Sequence, residues 1–83
     1  PVIGKRKYKK YLEENLIRPN DESCKDVKGE VVLSFFVDKE GRPQNITVVH
    51  GLCESADKEA IRLVKEGPKW TPGDLPTRVT VEF

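Results

Sequence analysis

What the sequence has little of narrows its function before any motif does. It has no charge to spare: 15 lysines and arginines stand against 14 aspartates and glutamates, a formal net charge of +1. A general nucleic-acid binder carries a strongly basic domain that displaces counterions from phosphate, so the balance speaks against that class. No apolar run approaches the ~20 residues a membrane-spanning helix needs, and no signal-peptide pattern is present. The chain opens at Pro1 without a methionine, which reads as a fragment whose targeting segment lies upstream. There is one histidine, His50, and there are two cysteines, Cys24 and Cys53. Three ligands without a paired Cys-x-x-Cys do not make a zinc site. A Cys–His nucleophilic pair fares no better, since His50 ends a strand and nothing supplies an oxyanion hole. The carboxylates fall singly on helix faces and turns. Neither an enzyme nor a cofactor or metal is expected.

What remains is the material of a small globular module. Apolar residues make up 36% and charged residues 35%, a composition that leaves one modest core and a well-solvated surface. With 83 residues and neither repeat nor low-complexity tract, a single domain over residues 1–83 is expected. Such a domain buries only about 60% of the surface its unfolded chain exposes, so its stability is marginal without a staple.

The spacing of Tyr8, Tyr11, Leu12 and Leu16 predicts a helix over Lys5–Leu16, stopped by Pro19. Glu30–Val37 reads as a strand with Val31, Leu33, Phe35 and Val37 on one side and Val32, Ser34 and Phe36 on the other. A strand apolar on both sides is expected to be central and covered. Asp38-Lys39-Glu40-Gly41 has the form of a type I turn closing on a left-handed glycine, and Asn45–His50 is the returning strand. A second helix is predicted from a Ser55 cap through Glu66. Ala56, Ala60, Leu63 and Val64 turn inward, Lys58, Glu59, Arg62 and Lys65 face water, and Gly67 serves as a left-handed cap. Beyond the turn-rich Trp70–Asp74, Val79, Val81 and Phe83 alternate with Thr80 and Glu82 in a last strand, Thr77–Phe83.

The fold class is therefore α+β: a helix, then β-β-α-β. The second helix is too long for a hairpin loop, so it crosses the sheet and returns the chain parallel to the second strand. A right-handed crossover places the third strand on the far side of the first, giving the order 2-1-3. That order leaves one edge of Thr77–Phe83 bare. An extended peptide can add to such an edge through main-chain hydrogen bonds; the plain alternative is an edge that faces water behind Arg78 and Glu82 as charged gatekeepers.

Lys28-Gly29-Glu30 through Val37 and Glu40-Gly41 resemble the glycine-led first hairpin of TonB C-terminal domains. So do Asp57-Lys58-Glu59-Ala60, Pro68-Lys69-Trp70-Thr71-Pro72-Gly73 and the closing Val79–Phe83, and Tyr11-Leu12, Asn15 and Pro19 are similar to that family's leading helix and its proline. The resemblance implies the periplasmic domain of an inner-membrane-anchored energy transducer driven by the ExbB–ExbD motor. It implies a partner too: the TonB-box peptide of an outer-membrane transporter, which pairs with the last strand during nutrient import. Carried over, the partner-binding residues are Thr77, Arg78, Val79, Thr80, Val81, Glu82 and Phe83, with Arg18 and Pro19 at the family's Tyr-Pro position. Arg18 replaces the aromatic there, and the segment from Gly73 to Val79 is shorter than usual. TonB-like domains also end envelope sensors, with a different partner; a small Cys/His metal or thiol enzyme is the reading from another class. An open-edged strand can also pair with a second copy, as a homodimer.

Cys24 precedes the first strand and Cys53 follows the second, so folding the hairpin brings them together. Either they form a disulfide, which in an oxidising periplasm would add about 3–4 kcal/mol in the chain-entropy model, or they are two small buried thiols. Lys5-Arg6-Lys7 and Lys9-Lys10 put positive charge at a helix start, against the dipole. They are a solvated face or a contact for an anionic surface. Trp70 is expected to pack over the sheet and anchor the lead-in to the last strand.

Overall fold

The alternation along Glu30–Val37 decides the architecture. In the computed structural model, which describes residues 1–83, the elements run α1 (Lys5–Asn15), β1 (Glu30–Val37), β2 (Pro43–His50), α2 (Glu54–Glu66) and β3 (Gly73–Glu82). The strands form an antiparallel sheet in the order β2-β1-β3. Val31, Leu33 and Phe35 are wholly buried, and Val37 nearly so. They share one core with Tyr8 and Leu12 of α1 and with Ala56, Ala60, Leu63 and Val64 of α2. Both helices thus cover the same face of the sheet, in two layers.

The opposite face of β1 is not covered. Val32 and Ser34 are half-buried and Phe36 is 45% exposed, because no element is left to form a third layer. Two apolar faces on a central strand here mark its position between neighbours, not burial on both sides.

The hairpin is held by Asp38. Its Oδ1 accepts from the amides of Glu40 (3.0 Å) and Arg42 (2.9 Å), and its Oδ2 from Gln44 Nε2 (3.0 Å). Gly41 takes φ +82°, and a Cβ there would lie 2.8 Å from the Trp70 carbonyl. Only glycine lets the turn come close enough for the Trp70 amide to donate to Gly41 O at 2.9 Å. Trp70 is fixed further by ring contacts to Tyr8 (centroids 4.6 Å apart) and Phe35 (5.0 Å, edge-on), which anchors the lead-in to β3.

Three local expectations are corrected. The cap of α2 is Cys53, not Ser55: its extended backbone ends the preceding loop, and its carbonyl accepts the Asp57 amide at 2.9 Å. Asp57 Oδ1 reaches back to the Leu52 amide (3.0 Å), so an acid near the helix start, where the dipole favours it, ties down the loop that enters α2. Gly67 is extended (φ −92°, ψ −165°), not left-handed. A Cβ on it would lie 2.5 Å from the Tyr11 ring, whose hydroxyl donates to Leu63 O at 2.6 Å and satisfies a last-turn carbonyl. Glycine is there to admit a tyrosine from α1. Third, β3 starts at Gly73, opposite Val37, well before Thr77. An irregularity between Phe35 and Val37 absorbs the extra residues, as a bulge does.

Cys24 and Cys53 are joined by a disulfide, with Cα atoms 6.0 Å apart. It ties the segment before β1 to the start of α2.

Candidate functional site

In an antiparallel pair, residues alternate between those that exchange both backbone hydrogen bonds with the partner and those that turn theirs away. Phe83 and Gly29 exchange both: Phe83 N–H to Gly29 O at 2.8 Å, and Gly29 N–H to Phe83 O at 3.3 Å. The register then runs without a break from Glu30↔Glu82 to Phe35↔Thr77. It follows that Val81, Val79 and Thr77 spend their amides and carbonyls on β1. Arg78, Thr80 and Glu82 turn theirs to the side where no strand lies, since β3 is at the edge of the sheet.

Side chains divide on the same alternation. Val81 is buried and Thr77, Val79 and Phe83 are half-buried toward the helices, while Arg78, Thr80 and Glu82 are exposed. The edge is firmly seated yet leaves a full row of backbone groups in solvent.

Beside this edge runs a groove of about 790 Å³. One wall is β3 from Thr77 to Glu82; the other is a face of α1 that carries Lys5, Tyr8, Lys9, Leu12, Glu13 and Leu16. The helical period gives that wall two rows: Tyr8, Leu12 and Leu16 at the apolar floor, and Lys5, Lys9 and Glu13 along the rim. At one end of the groove lie Trp70 and Thr71. Tyr8 Oη and Trp70 Nε1 are buried without a well-aligned partner, near one another beneath the ring contact. Burial, then the neighbouring Tyr11, push the Tyr8 hydroxyl far above its ordinary pKa, so it stays a neutral donor.

The helix wall is held in place by a network on the α2 face whose spacing predicts contact with water. Glu59 has a side chain only 10% exposed. Its carboxylate takes both Nε and Nη2 of Arg62 at 2.7 Å and the Ile17 amide at 2.7 Å, just past the end of α1. Arg62 also donates to the Asn15 carbonyl (3.1 Å) and to Glu66 (3.2 Å). Burial works against the charge on Glu59, but Arg62 and the Ile17 amide together outweigh it and hold the carboxyl below its usual range. The one sequence cue was a bare helix end at Asn15-Leu16-Ile17, whose carbonyls need a donor.

Not every expected contact residue lies in the groove. Arg18 and Pro19 line a separate shallow hollow of about 410 Å³ with Asp21, Ser55 and Lys58, and the Arg18 guanidinium donates to the Val27 carbonyl. Of the basic cluster, Lys5 and Lys9 line the groove, while Arg6, Lys7 and Lys10 are exposed outside it. His50 is exposed at the end of β2, and both cysteine sulfurs are committed to the disulfide.

The family model for the Gram-negative bacterial TonB protein C-terminal domain matches residues 18–83, which takes in the whole sheet and α2. No curated protein and no solved structure matches the chain.

Proposed function

The chain belongs to the TonB C-terminal family, a family of periplasmic protein-interaction domains and not of enzymes, and from that premise we propose that it is the gripping domain of a TonB-type energy transducer. It takes the TonB-box peptide of an outer-membrane transporter as an added strand on β3, across Thr77–Phe83. The energy it transmits comes from the proton-motive force through ExbB–ExbD, reached by an inner-membrane anchor outside the residues described. Arg18 and Pro19 touch the transporter beyond the peptide.

The observation that carries this reading is the outward row of amides and carbonyls at Arg78, Thr80 and Glu82, opening on a groove with an apolar floor. Main-chain hydrogen bonds each contribute only about 0.5–1.5 kcal/mol net. Summed along this edge they come to about 3–9 kcal/mol before the cost of ordering the peptide, short of tight binding, so the apolar floor adds to a grip that must also release. Pulled along the strand, the bonds share the load.

Titration of isotope-labelled protein with peptides of transporter TonB-box sequence, followed by amide shifts, tests the reading. Thr77–Phe83 shifts in the wild type. Thr80→Pro removes an outward N–H and no bond to β1, so the domain stays folded and binding falls at least about tenfold. Binding that leaves Thr77–Phe83 unshifted, or that Thr80→Pro does not weaken, refutes strand addition here.

A further inference from the structure

A net charge near zero can come from mixing charges or from separating them, and here it comes from separation. Three contacts bring the start of α1, the lead-in to β3 and the β1–β2 turn to one end of the molecule. The Val2 amide donates to Lys69 O (3.1 Å), the Trp70 amide to Gly41 O (2.9 Å), and Val37 beside the turn pairs with Gly73. The helices run antiparallel, with Tyr11 against Gly67 and Ile17 held by Glu59, so α2 finishes at this same end.

Lys5, Arg6, Lys7, Lys9 and Lys10 of α1 are gathered here. Lys65 of α2, Lys69 just beyond it, and Lys39 and Arg42 of the turn join them. All nine are exposed and none is in a salt bridge; the ion pairs use only Lys25, Lys58 and Arg62. Four carboxylates share this end. Asp38 is bound to the turn's own amides and Glu66 to Arg62, which leaves Glu40 and the exposed Asp74 in solvent. With all four counted against the nine, the end holds five surplus positive charges, so the rest of a chain of net +1 holds four surplus negative ones. The body is 39 Å long, several times the screening length of about 8 Å at physiological salt, and its ends act as separate surfaces. The α1 cations lie outside the residues matched by the family.

The basic end also carries apolar side chains that the core does not cover. Val2 and Ile3 stand exposed just before the basic run, and Leu75, 81% exposed, lies among the extra residues of β3 level with the exposed Phe36. Ile17, Val48 and Val49, the other exposed large apolar residues, lie toward the acidic end. Unpaired cations beside exposed apolar side chains fit a surface that offers phosphate and hydrocarbon together. A soluble polyanion would use the cations alone.

We propose that this end docks on an anionic phospholipid surface, with the lysines and arginines at head-group phosphates and Val2, Ile3 and Leu75 entering the head-group layer. The acidic end is repelled and points away, and β3 runs outward from the surface toward it. Arg6, Lys7 and Lys10 lie outside the groove, so lipid docking is separate from strand addition on β3.

The probes are vesicles of phosphatidylcholine alone, vesicles of phosphatidylcholine with phosphatidylglycerol, and soluble polyphosphate. The chain sediments with vesicles that contain phosphatidylglycerol and not with phosphatidylcholine alone, and binding weakens as salt rises. A lysine or arginine near such a surface raises affinity about fivefold, so Arg6→Glu/Lys7→Glu/Lys10→Glu lowers it at least about a hundredfold. Lys39→Glu/Arg42→Glu, on a different element, lowers it at least about twentyfold. Ile3→Ser/Leu75→Ser loses about tenfold, a deficit that persists at high salt because it is not electrostatic. All of these side chains are solvent-exposed, and each variant keeps the wild-type amide spectrum of β1. With a nitroxide on the lipid head group, amides of Ile3–Lys10, Lys39–Arg42 and Leu75 broaden, while those of Asp21–Asp26 and Glu54–Asp57 stay sharp. Equal binding to phosphatidylcholine alone, or broadening at both ends, overturns the proposal. So does binding to polyphosphate as tight as to the vesicles, with no loss in Ile3→Ser/Leu75→Ser, which would make this end a polyanion site.

Discussion

Replacing Gly67 with alanine separates two explanations of one glycine. The backbone there is extended, a conformation alanine adopts freely, so the substitution taken alone would stabilise by about 0.4–1 kcal/mol through the unfolded chain. The structure puts an obstacle in the way: the new Cβ would lie 2.5 Å from Tyr11 Cζ and 2.6 Å from its hydroxyl. The ring must move, and the 2.6 Å hydrogen bond from Tyr11 to Leu63 O goes with it. Overpacking of this kind costs about 1–3 kcal/mol and the hydrogen bond about 1 more. Gly67→Ala should therefore lose about 2 kcal/mol in urea unfolding, or on the order of 10 °C in Tm for a domain of this size. The deciding experiment is the cycle with Tyr11→Ala. Without the ring, Gly67→Ala becomes neutral or slightly stabilising, giving a coupling of about 2 kcal/mol. If the glycine were a left-handed cap instead, alanine would cost about 1 kcal/mol in both backgrounds. Additivity of the two substitutions would refute the contact.

Two further outcomes follow from the pins around the core. Glu59→Gln should lose about 1–2 kcal/mol at pH 7, because it removes charge-assisted bonds from Arg62 and Ile17. The folded carboxyl titrates below the ordinary glutamate range, so its contribution is complete above that range and is lost as pH falls through the folded value. Urea curves of wild type and variant should thus converge in acid, and an undiminished gap at about pH 3, below the ordinary glutamate range, would show that charge is not the cause. Reducing the disulfide, or making Cys24→Ser with Cys53→Ser, reopens a link across 29 residues of sequence and should cost about 3–4 kcal/mol in the chain-entropy model. Equal urea midpoints with and without reductant would remove the staple from the account.

Much of the fold was legible because its main signals are periodic and local. The alternation of Val31, Leu33, Phe35 and Val37, the turn at Asp38–Gly41 and the inward stripe of α2 each depend on near neighbours in sequence, and each lies where its period puts it. The order of the sheet followed from handedness alone. The misreadings share a cause: in each, a residue distant in sequence outvotes a local rule. Gly67 looked like a left-handed cap, but Tyr11 of the other helix claims the space. Glu59 and Arg62 sit on what reads as a polar helix face, yet the end of α1 arrives there and makes them a clamp. Ser55 was the local choice of cap, but the disulfide partner Cys53 ends the loop first. The site shows the same division. That β3 has a free edge was a topological inference; that α1 lies beside it and turns an edge into a groove is visible only in three dimensions.

The central claim, that β3 offers its outer row of backbone groups to a partner strand, is tested most directly by residue-resolved amide exchange with and without a transporter TonB-box peptide. In the free domain the amides of Thr77, Val79, Val81 and Phe83 should be protected by β1, while those of Arg78, Thr80 and Glu82 exchange as solvent-exposed groups. With peptide bound, Arg78, Thr80 and Glu82 should become protected, and the alternation along the strand should disappear. If those three amides exchange as fast in the complex as in the free domain, the peptide does not bind as an added strand on this edge.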